Sequence, residues 1–339
     1  MKNDIKSYKL NEDDITVRLG FVLLPQFTMA AFAAFMDLLG VLGADDETSG
    51  HCAWEVVADT LIPVRSASGI QVVPTDLLGN PLRFDELIVV GGPLAPPDAY
   101  PRELSIWLRQ AARGGRYLAG LCNGVFALAT AGVLAGHRVC VASAHYRDFA
   151  QRFPSFSPEQ VVVDRQSVSD RRCMTCVGGG AVTEIAVRIL CRHLPEADVQ
   201  RALRRLQLEP AESSQQSQPP PADLPPGCPA AVQRAALLIE QYAGHALTLP
   251  ALADRVGMSP RQLQRLFGRH LQMTPQAYAR RVRLRLAEWM LAHTGKSIAM
   301  IASDCGFADA AHMGRTFRTA FGVAPGLWRR RSVGVKNTV

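Results

Sequence analysis

The stretch ESSQQSQPPPADLPPG (212–227) constrains this chain most. It is polar, dense in proline and free of aromatic residues. Proline withholds a backbone donor and fixes φ, so the stretch cannot build a sheet or a core and reads as an extended, semi-stiff tether. Residues on its two sides follow different patterns, so the chain must be read as two separately folding parts.

Before the tether, apolar strand-like runs alternate with helical ones. TVRLGFVLLP (16–25), WEVVAD (54–59), FDELIVVGG (84–92) and GRYLAGLCNG (115–124) read as strands, with shorter ones at 138–142, 160–164 and 171–176. Helices are expected at 27–43, 98–113, 124–131, 145–152, 179–193 and 197–208, and a hairpin arm at 61–75. Strands without polar alternation are covered on both faces, which predicts a parallel sheet sandwiched by helices. Residues 1–15 read as a polar tail with no apolar core, so no secretory signal is expected there.

After the tether, from about 229, every run has helical periodicity. Leu249–Val256 is a short helix. Ser259 is an N-cap, with Pro260 first in the next helix and Gln262 three residues after the cap. Pro275 starts a long helix. Ser297 caps a second short helix and Asp309 the helix after it. In each short pair a small residue precedes a glycine, Ala253 and Gly257, then Ala302 and Gly306. The small residue lets two helices cross closely and the glycine takes a positive φ. These are two helix-turn-helix units, and the second helix of each is the one that enters a DNA major groove.

Charge supports this division. From Cys228 onward there are 16 Lys/Arg and 5 Asp/Glu, a net +11, whereas residues 1–227 carry a net −4. A basic third behind a mildly acidic body points to a polyanion partner for that third alone. No run of about eighteen apolar residues is present, so no membrane span is expected. The eight scattered cysteines are too sparse for a disulfide scaffold and fit a reducing cytoplasm.

On the first recognition helix, Ser259, Arg261, Gln262, Gln264, Arg265 and Arg269 are the DNA-contact candidates, because Arg and Gln make bidentate contacts with guanine and adenine edges. On the second they are Ala310, Ala311, His312, Arg315 and Arg318, with Met313 and Phe317 facing the core. Arg280, Arg281, Arg283 and Arg285 on the long helix either touch phosphates or solvate it.

The strand-bearing part carries its own constellation. In GLCNG (120–124) a cysteine sits between strand and helix with glycines on both sides, the spacing of a nucleophile elbow. The turn presents Cys122 at a sheet edge near a helix N-terminus, which lowers a thiol pKa. Gly91 and Gly92 can offer backbone N–H groups to an anion, and His145 follows the next strand. The ligand-pocket candidates are therefore Gly91, Gly92, Cys122, Asn123 and His145. No carboxylate follows the first strand until Asp37, so a complete catalytic triad is not expected. Cys173 and Cys176 have half the spacing of a zinc site, without a second pair, and no metal or cofactor is expected.

Two resemblances carry the reading further. Ile301-Ala302, Gly306-Phe307, Met313, Phe317, Phe321-Gly322 and Pro325 resemble the signature of AraC/XylS-type transcriptional regulators, with Met313 in place of a usual phenylalanine and Ala311 where a serine is common. Upstream, GFVLLPQFTM, IVVGG, AGLCNG and CMTCVGGGAVTEIAVRIL resemble the DJ-1/PfpI-like, class I glutamine amidotransferase-like domain. That combination is similar to the GlxA-like regulators. The resemblance implies a flavodoxin-like α/β sandwich at 16–210, a linker at 211–228 and an all-α DNA-binding domain with two helix-turn-helix motifs at 229–331. It implies a ligand-responsive transcriptional regulator, not an enzyme. Its partners would be double-stranded operator DNA, a small-molecule effector of amino-acid or amine type, a second copy through the N-terminal domain, and RNA polymerase if it activates a catabolic operon. The alternative is a cysteine-dependent hydrolase or lyase that also binds DNA.

Overall fold

The structure, a computed structural model, describes residues 15–44, 51–96, 99–208, 216–221, 224–245 and 247–336. The expected N-terminal tail, apart from Ile15, and residues 211–215, 222 and 223 of the expected linker lie outside the described residues. Contacts divide the chain into two units, one ending at Gln216 and the next starting at Ser217.

The first unit is built on a seven-stranded sheet in the order β10-β11-β7-β6-β1-β2-β5. Its strands are β1 (Ile15–Leu23), β2 (His51–Ala58), β5 (Asp76–Leu77), β6 (Glu86–Val90), β7 (Tyr117–Leu121), β10 (Ser167–Asp170) and β11 (Cys173–Cys176). β3 (Val64–Arg65) and β4 (Gln71–Val72) form the expected hairpin arm, and β8 (Val139–Cys140) pairs in parallel with β9 (Val161–Val162). Six strands of the large sheet run parallel, as the apolar runs of β1, β6 and β7 predict; β5 is a two-residue edge strand that was not expected, and the strands expected at 138–142 and 160–164 pair with each other outside this sheet. The seventh, β10, corrects the all-parallel expectation. It is antiparallel to β11, reached through a tight return in which Arg171 takes φ 54. Its polar sequence SVSD suits an edge and hides it from a search for apolar runs.

Helices cover both faces. On one side α1 (Met29–Gly43), α5 (Gly180–Leu190) and α6 (Glu196–Arg205) bury Phe32, Phe35, Leu38, Ile185, Ile189 and Leu203 against Leu19, Phe21, Ile88 and Leu121. On the other, α2 (Arg102–Arg113) and α3 (Gly124–Thr130) pack on β6 and β7 and bury Trp107, Leu108, Val125 and Leu128. A 3-10 turn (Ser143–His145) leads into α4 (Tyr146–Arg152). β1 lies between β6 and β2, so the winding direction reverses at the β1–β6 junction. The loops leaving the carboxyl ends there meet in the crevice where α/β sheets accept ligands.

The second unit is wholly helical among its described residues: α7 (Ala230–Gln241), α8 (Leu249–Arg255), α9 (Pro260–Leu271), α10 (Pro275–His293), α11 (Ile298–Asp304), α12 (Ala310–Phe321) and α13 (Pro325–Lys336). Two cores share α10. Leu252, Ala253, Leu263, Phe267, Tyr278 and Val282 fill the first. Leu284, Ala287, Leu291, Ile301, Met313 and Phe317 fill the second. Leu224 and Cys228, within the stretch expected to be linker, are buried in the first core. α13 was not expected; its Trp328 closes the second core edge-on to Phe317, with ring centroids 5.9 Å apart.

Candidate functional site

β7 ends at Leu121 and α3 begins at Gly124, so the chain must reverse over two residues. Cys122 does this with φ 53, a left-handed conformation that a side chain resists. The flanking glycine is required by space: a Cβ on Gly124 would overlap the Val89 carbonyl oxygen. This is the strained elbow expected from G-x-C-x-G.

The elbow's neighbours correct several expectations. The Gly91 N–H donates to the Leu121 carbonyl at 3.0 Å, so it is committed to the sheet rather than to an anion. The Gly91 carbonyl accepts from the Thr28 N–H at 2.9 Å, and the Gly92 carbonyl accepts from Asn123 Nδ2 at 2.9 Å. Asn123 is thus a buried brace between two loops. His145 ends the 3-10 turn, and no hydrogen bond joins it to Cys122 among the described residues. The groups that meet the sulfur are the Thr28 hydroxyl and Gly178, whose added Cβ would lie 2.8 Å from it. Gly178 belongs to the VGGG run, a signal for close approach visible in the sequence but not tied there to Cys122.

Burial raises the Cys122 pKa above its ordinary value and outweighs the Thr28 hydrogen bond, which acts in the opposite sense. The direction is thus opposite to the lowering expected from the helix N-terminus, and burial disfavours the Cys122 thiolate. Cys176, fully buried behind the elbow, is pushed up to about 12, chiefly by desolvation. Cys173 and Cys176 are free, buried thiols, and no group of metal-ligating side chains is present among the described residues.

In the helical unit the caps form as read. Ser259 Oγ accepts from the Gln262 N–H, and Gln262 Oε1 accepts from the Ser259 N–H at 3.0 Å, a reciprocal capping box. Ser259 and Gln262 are thus engaged in the cap while both remain exposed. Arg261, Gln264, Arg265 and Arg269 are exposed on one face of α9, opposite Leu263 and Phe267. On α12, Asp309 accepts from the His312 N–H, while Ala311, His312, Arg315 and Arg318 are exposed. Ala310 instead leans on the second core, and His312 places its ring edge-on to Phe307. Gly257 and Gly306 take φ +73 and +68, the turn conformation expected of both.

The four arginines of α10 divide by role. Arg283 donates to the Gly306 carbonyl, Arg285 pairs with Glu240, and Arg281 lies over the Tyr278 ring. Arg280 is exposed. Arg280, Arg281 and Arg315 line an open groove of about 430 Å³ between α10 and α12, with no carboxylate in its lining.

Residues 252–331 match the helix-turn-helix domain family and residues 33–191 the DJ-1/PfpI family. The HTH-type transcriptional regulator ArgR of Pseudomonas aeruginosa is 32% identical over 231 residues, covering 68% of this chain and 69% of that protein. The chain belongs to the AraC/XylS-type regulators that carry a DJ-1/PfpI-like domain. Two further relatives align along nearly the whole of this regulator. The HTH-type transcriptional regulator GbdR of P. aeruginosa is 29% identical, over 91% of this chain and 82% of that protein. GlxA of Rhizobium meliloti, also an HTH-type transcriptional regulator, is 28% identical over 93% and 96%. No described helix of this regulator is long and apolar enough to cross a membrane.

Proposed function

We propose that this regulator is a sequence-specific, ligand-responsive activator of a catabolic operon, with an effector of amino-acid or amine type. The observation that carries this reading is the pair of capped helices, α9 and α12, each presenting exposed arginines opposite a buried apolar stripe. Both helix pairs act as helix-turn-helix units, with α9 and α12 entering successive major-groove segments. α9, with Arg261, Gln264 and Arg265, supplies most base reading. α12, with Ala311 at its start and Arg315 and Arg318 further on, contributes more to positioning.

Residues 16–210 form the sensing domain and 229–331 the DNA-binding domain, and 211–228 tether them, with Leu224 and Cys228 anchoring the tether's end in the first helical core. The sensing domain pairs with a second copy, so that two basic domains reach paired half-sites, and the activated form engages RNA polymerase. Gly91, Gly92, Cys122 and Asn123 shape the wall behind the crevice at the β1–β6 junction, His145 lies on the turn after β8, and an effector bound in the crevice acts by favouring one arrangement of the dimer. The burial that disfavours the Cys122 thiolate supports a sensing role over catalysis.

Footprinting of the full chain on DNA flanking its own gene, at several salt concentrations, tests this reading. Protected half-sites that persist as salt rises, and that change with an added metabolite, are expected. Binding that ignores sequence at every salt concentration would exclude the proposal.

A further inference from the structure

A cleft of about 420 Å³ opens at the carboxyl ends of β1 and β2, between the β3–β4 arm and the start of α2. This volume lies within the range of small-molecule sites, roughly 300–1,000 Å³. It adjoins the β1–β6 junction but is not the elbow, since neither Cys122 nor His145 lines it.

Its walls are held in place without a ligand. The Gln26 N–H donates to the Arg65 carbonyl at 2.8 Å, and the Ala67 N–H to the Phe27 carbonyl at 3.0 Å, so the arm is tied to the loop after β1. Gln26 takes φ 59, a second strained non-glycine residue besides Cys122 in this crevice. Its carbonyl fills the space where Gly92 would carry a Cβ, and Gly92 in turn accepts from Asn123. Cleft and elbow therefore share one wall.

The lining is mainly apolar, with Leu24, Ile62 and Leu104 among its members. It also contains one acidic and one basic residue, Asp59 and Arg65, both exposed. Among the described residues neither makes an ion pair, with the other or with a third group. Two opposite charges left apart beside an apolar cleft suit a ligand that carries both charges and an apolar body.

We propose that this cleft is the effector seat, and that it takes a small zwitterion of the amino-acid class, carboxylate toward Arg65, cationic nitrogen toward Asp59 and apolar group against Ile62 and Leu104. The assignment rests on reading the first unit as the sensor. It separates the seat from Cys122, which keeps the wall in shape through Gly92 and Gln26 instead of touching the ligand.

Thermal unfolding of the full chain tests it, with L-leucine, L-valine and L-phenylalanine as probes and isovalerate and isoamylamine as partners carrying one charge each. A ligand bound only by the folded chain raises the melting temperature. At least one amino acid should raise it more than either single-charge compound. Arg65→Gln and Asp59→Asn should each weaken that binding about tenfold, and Cys122→Ser should leave it unchanged. Binding that survives both cleft variants, or that falls with Cys122→Ser, places the seat elsewhere and overturns the proposal while leaving a sensor in place. No shift with any amino acid overturns it as well. The footprint then decides the broader reading, which stands if another metabolite alters protection and falls if none does. An Ile62→Glu chain that binds the amino acid normally but no longer self-associates shows the cleft to be a subunit contact, which also overturns the proposal.

Discussion

The guanidinium of Arg283 donates to the carbonyl oxygen of Gly306 at 3.1 Å. Arg283 lies mid-way along α10, and Gly306 is the turn residue of the second helix pair. Beside it, the Ala243 carbonyl at the end of α7 would lie 3.1 Å from a Cβ on Gly306. The second pair is thus pinned to the helix that also carries the first core, which fixes how far apart α9 and α12 stand. Removing the donor should cost about 1.5–2 kcal/mol, the lower part of the range for a charged hydrogen bond because Arg283 is only half-buried. Arg283→Met should therefore lower the denaturant midpoint and weaken specific DNA binding more than nonspecific binding. Equal losses on both DNAs would show that the bond does not set the spacing.

The exposed arginines of α9 and the groove arginines of α10 should separate by salt. Arg265→Ala, on the α9 face, is expected to cost about 1–3 kcal/mol on an operator and to relax specificity at one base position. Arg280→Gln, in the carboxylate-free groove, is expected to weaken a mixed-sequence duplex and the operator alike, and to reduce the slope of log K against log salt by roughly one. Titrations at four or five salt concentrations read both effects. An unchanged slope for Arg280→Gln would remove the groove from the DNA contact surface.

What could be read from the sequence follows from how local each signal is. The capping box at Ser259 and Gln262, the glycine turns at Gly257 and Gly306, and the elbow around Cys122 are each specified within a few residues, and the structure contains all of them. Apolar runs likewise located β1, β6 and β7. Long-range partners were not legible: the Arg283–Gly306 bond spans 23 positions, and nothing near His145 records that Thr28 and Gly178 reach the sulfur first. The sign of the Cys122 shift failed for a related reason. A helix N-terminus is visible in sequence, but the burial that raises the thiol depends on the whole crevice.

The two helix pairs end differently, and this gives a stability prediction. α12 is followed by Gly322 at φ 75, whereas α9 is followed by Gln272 at φ 53. Both are left-handed caps, which glycine adopts freely and glutamine does not. Gln272→Gly should stabilise the chain by about 0.5–1 kcal/mol, less whatever the weak Gln272-to-Arg269 hydrogen bond contributes. Gly322→Ala should destabilise by a similar amount. Thermal or urea unfolding of both variants checks this, and opposite signs are the required outcome.

Alkaline pH should expose the buried thiols of β11. Desolvation pushes Cys173 up to about 11 and Cys176 up to about 12, while an unfolded cysteine titrates near about 8.5. Between these values the folded chain retains protons that the unfolded chain releases. Stability is therefore complete below the unfolded pKa and is lost as pH rises through the window up to the folded pKa, by about 1.4 kcal/mol per pH unit for each thiol. Cys176→Ala leaves a cavity and lowers stability at every pH, so the informative quantity is the slope. Unfolding free energies from pH 7 to 10.5 should fall less steeply in Cys176→Ala by close to one proton. The same physics makes Cys122 a slow nucleophile: alkylation of its peptide by iodoacetamide should lag a free thiol at pH 7.5, and Thr28→Val should slow it further by removing the hydroxyl that favours the thiolate. An unchanged pH slope in Cys176→Ala, or a Cys122 that reacts as fast as free cysteine at pH 7.5, would contradict the burial of these sulfurs.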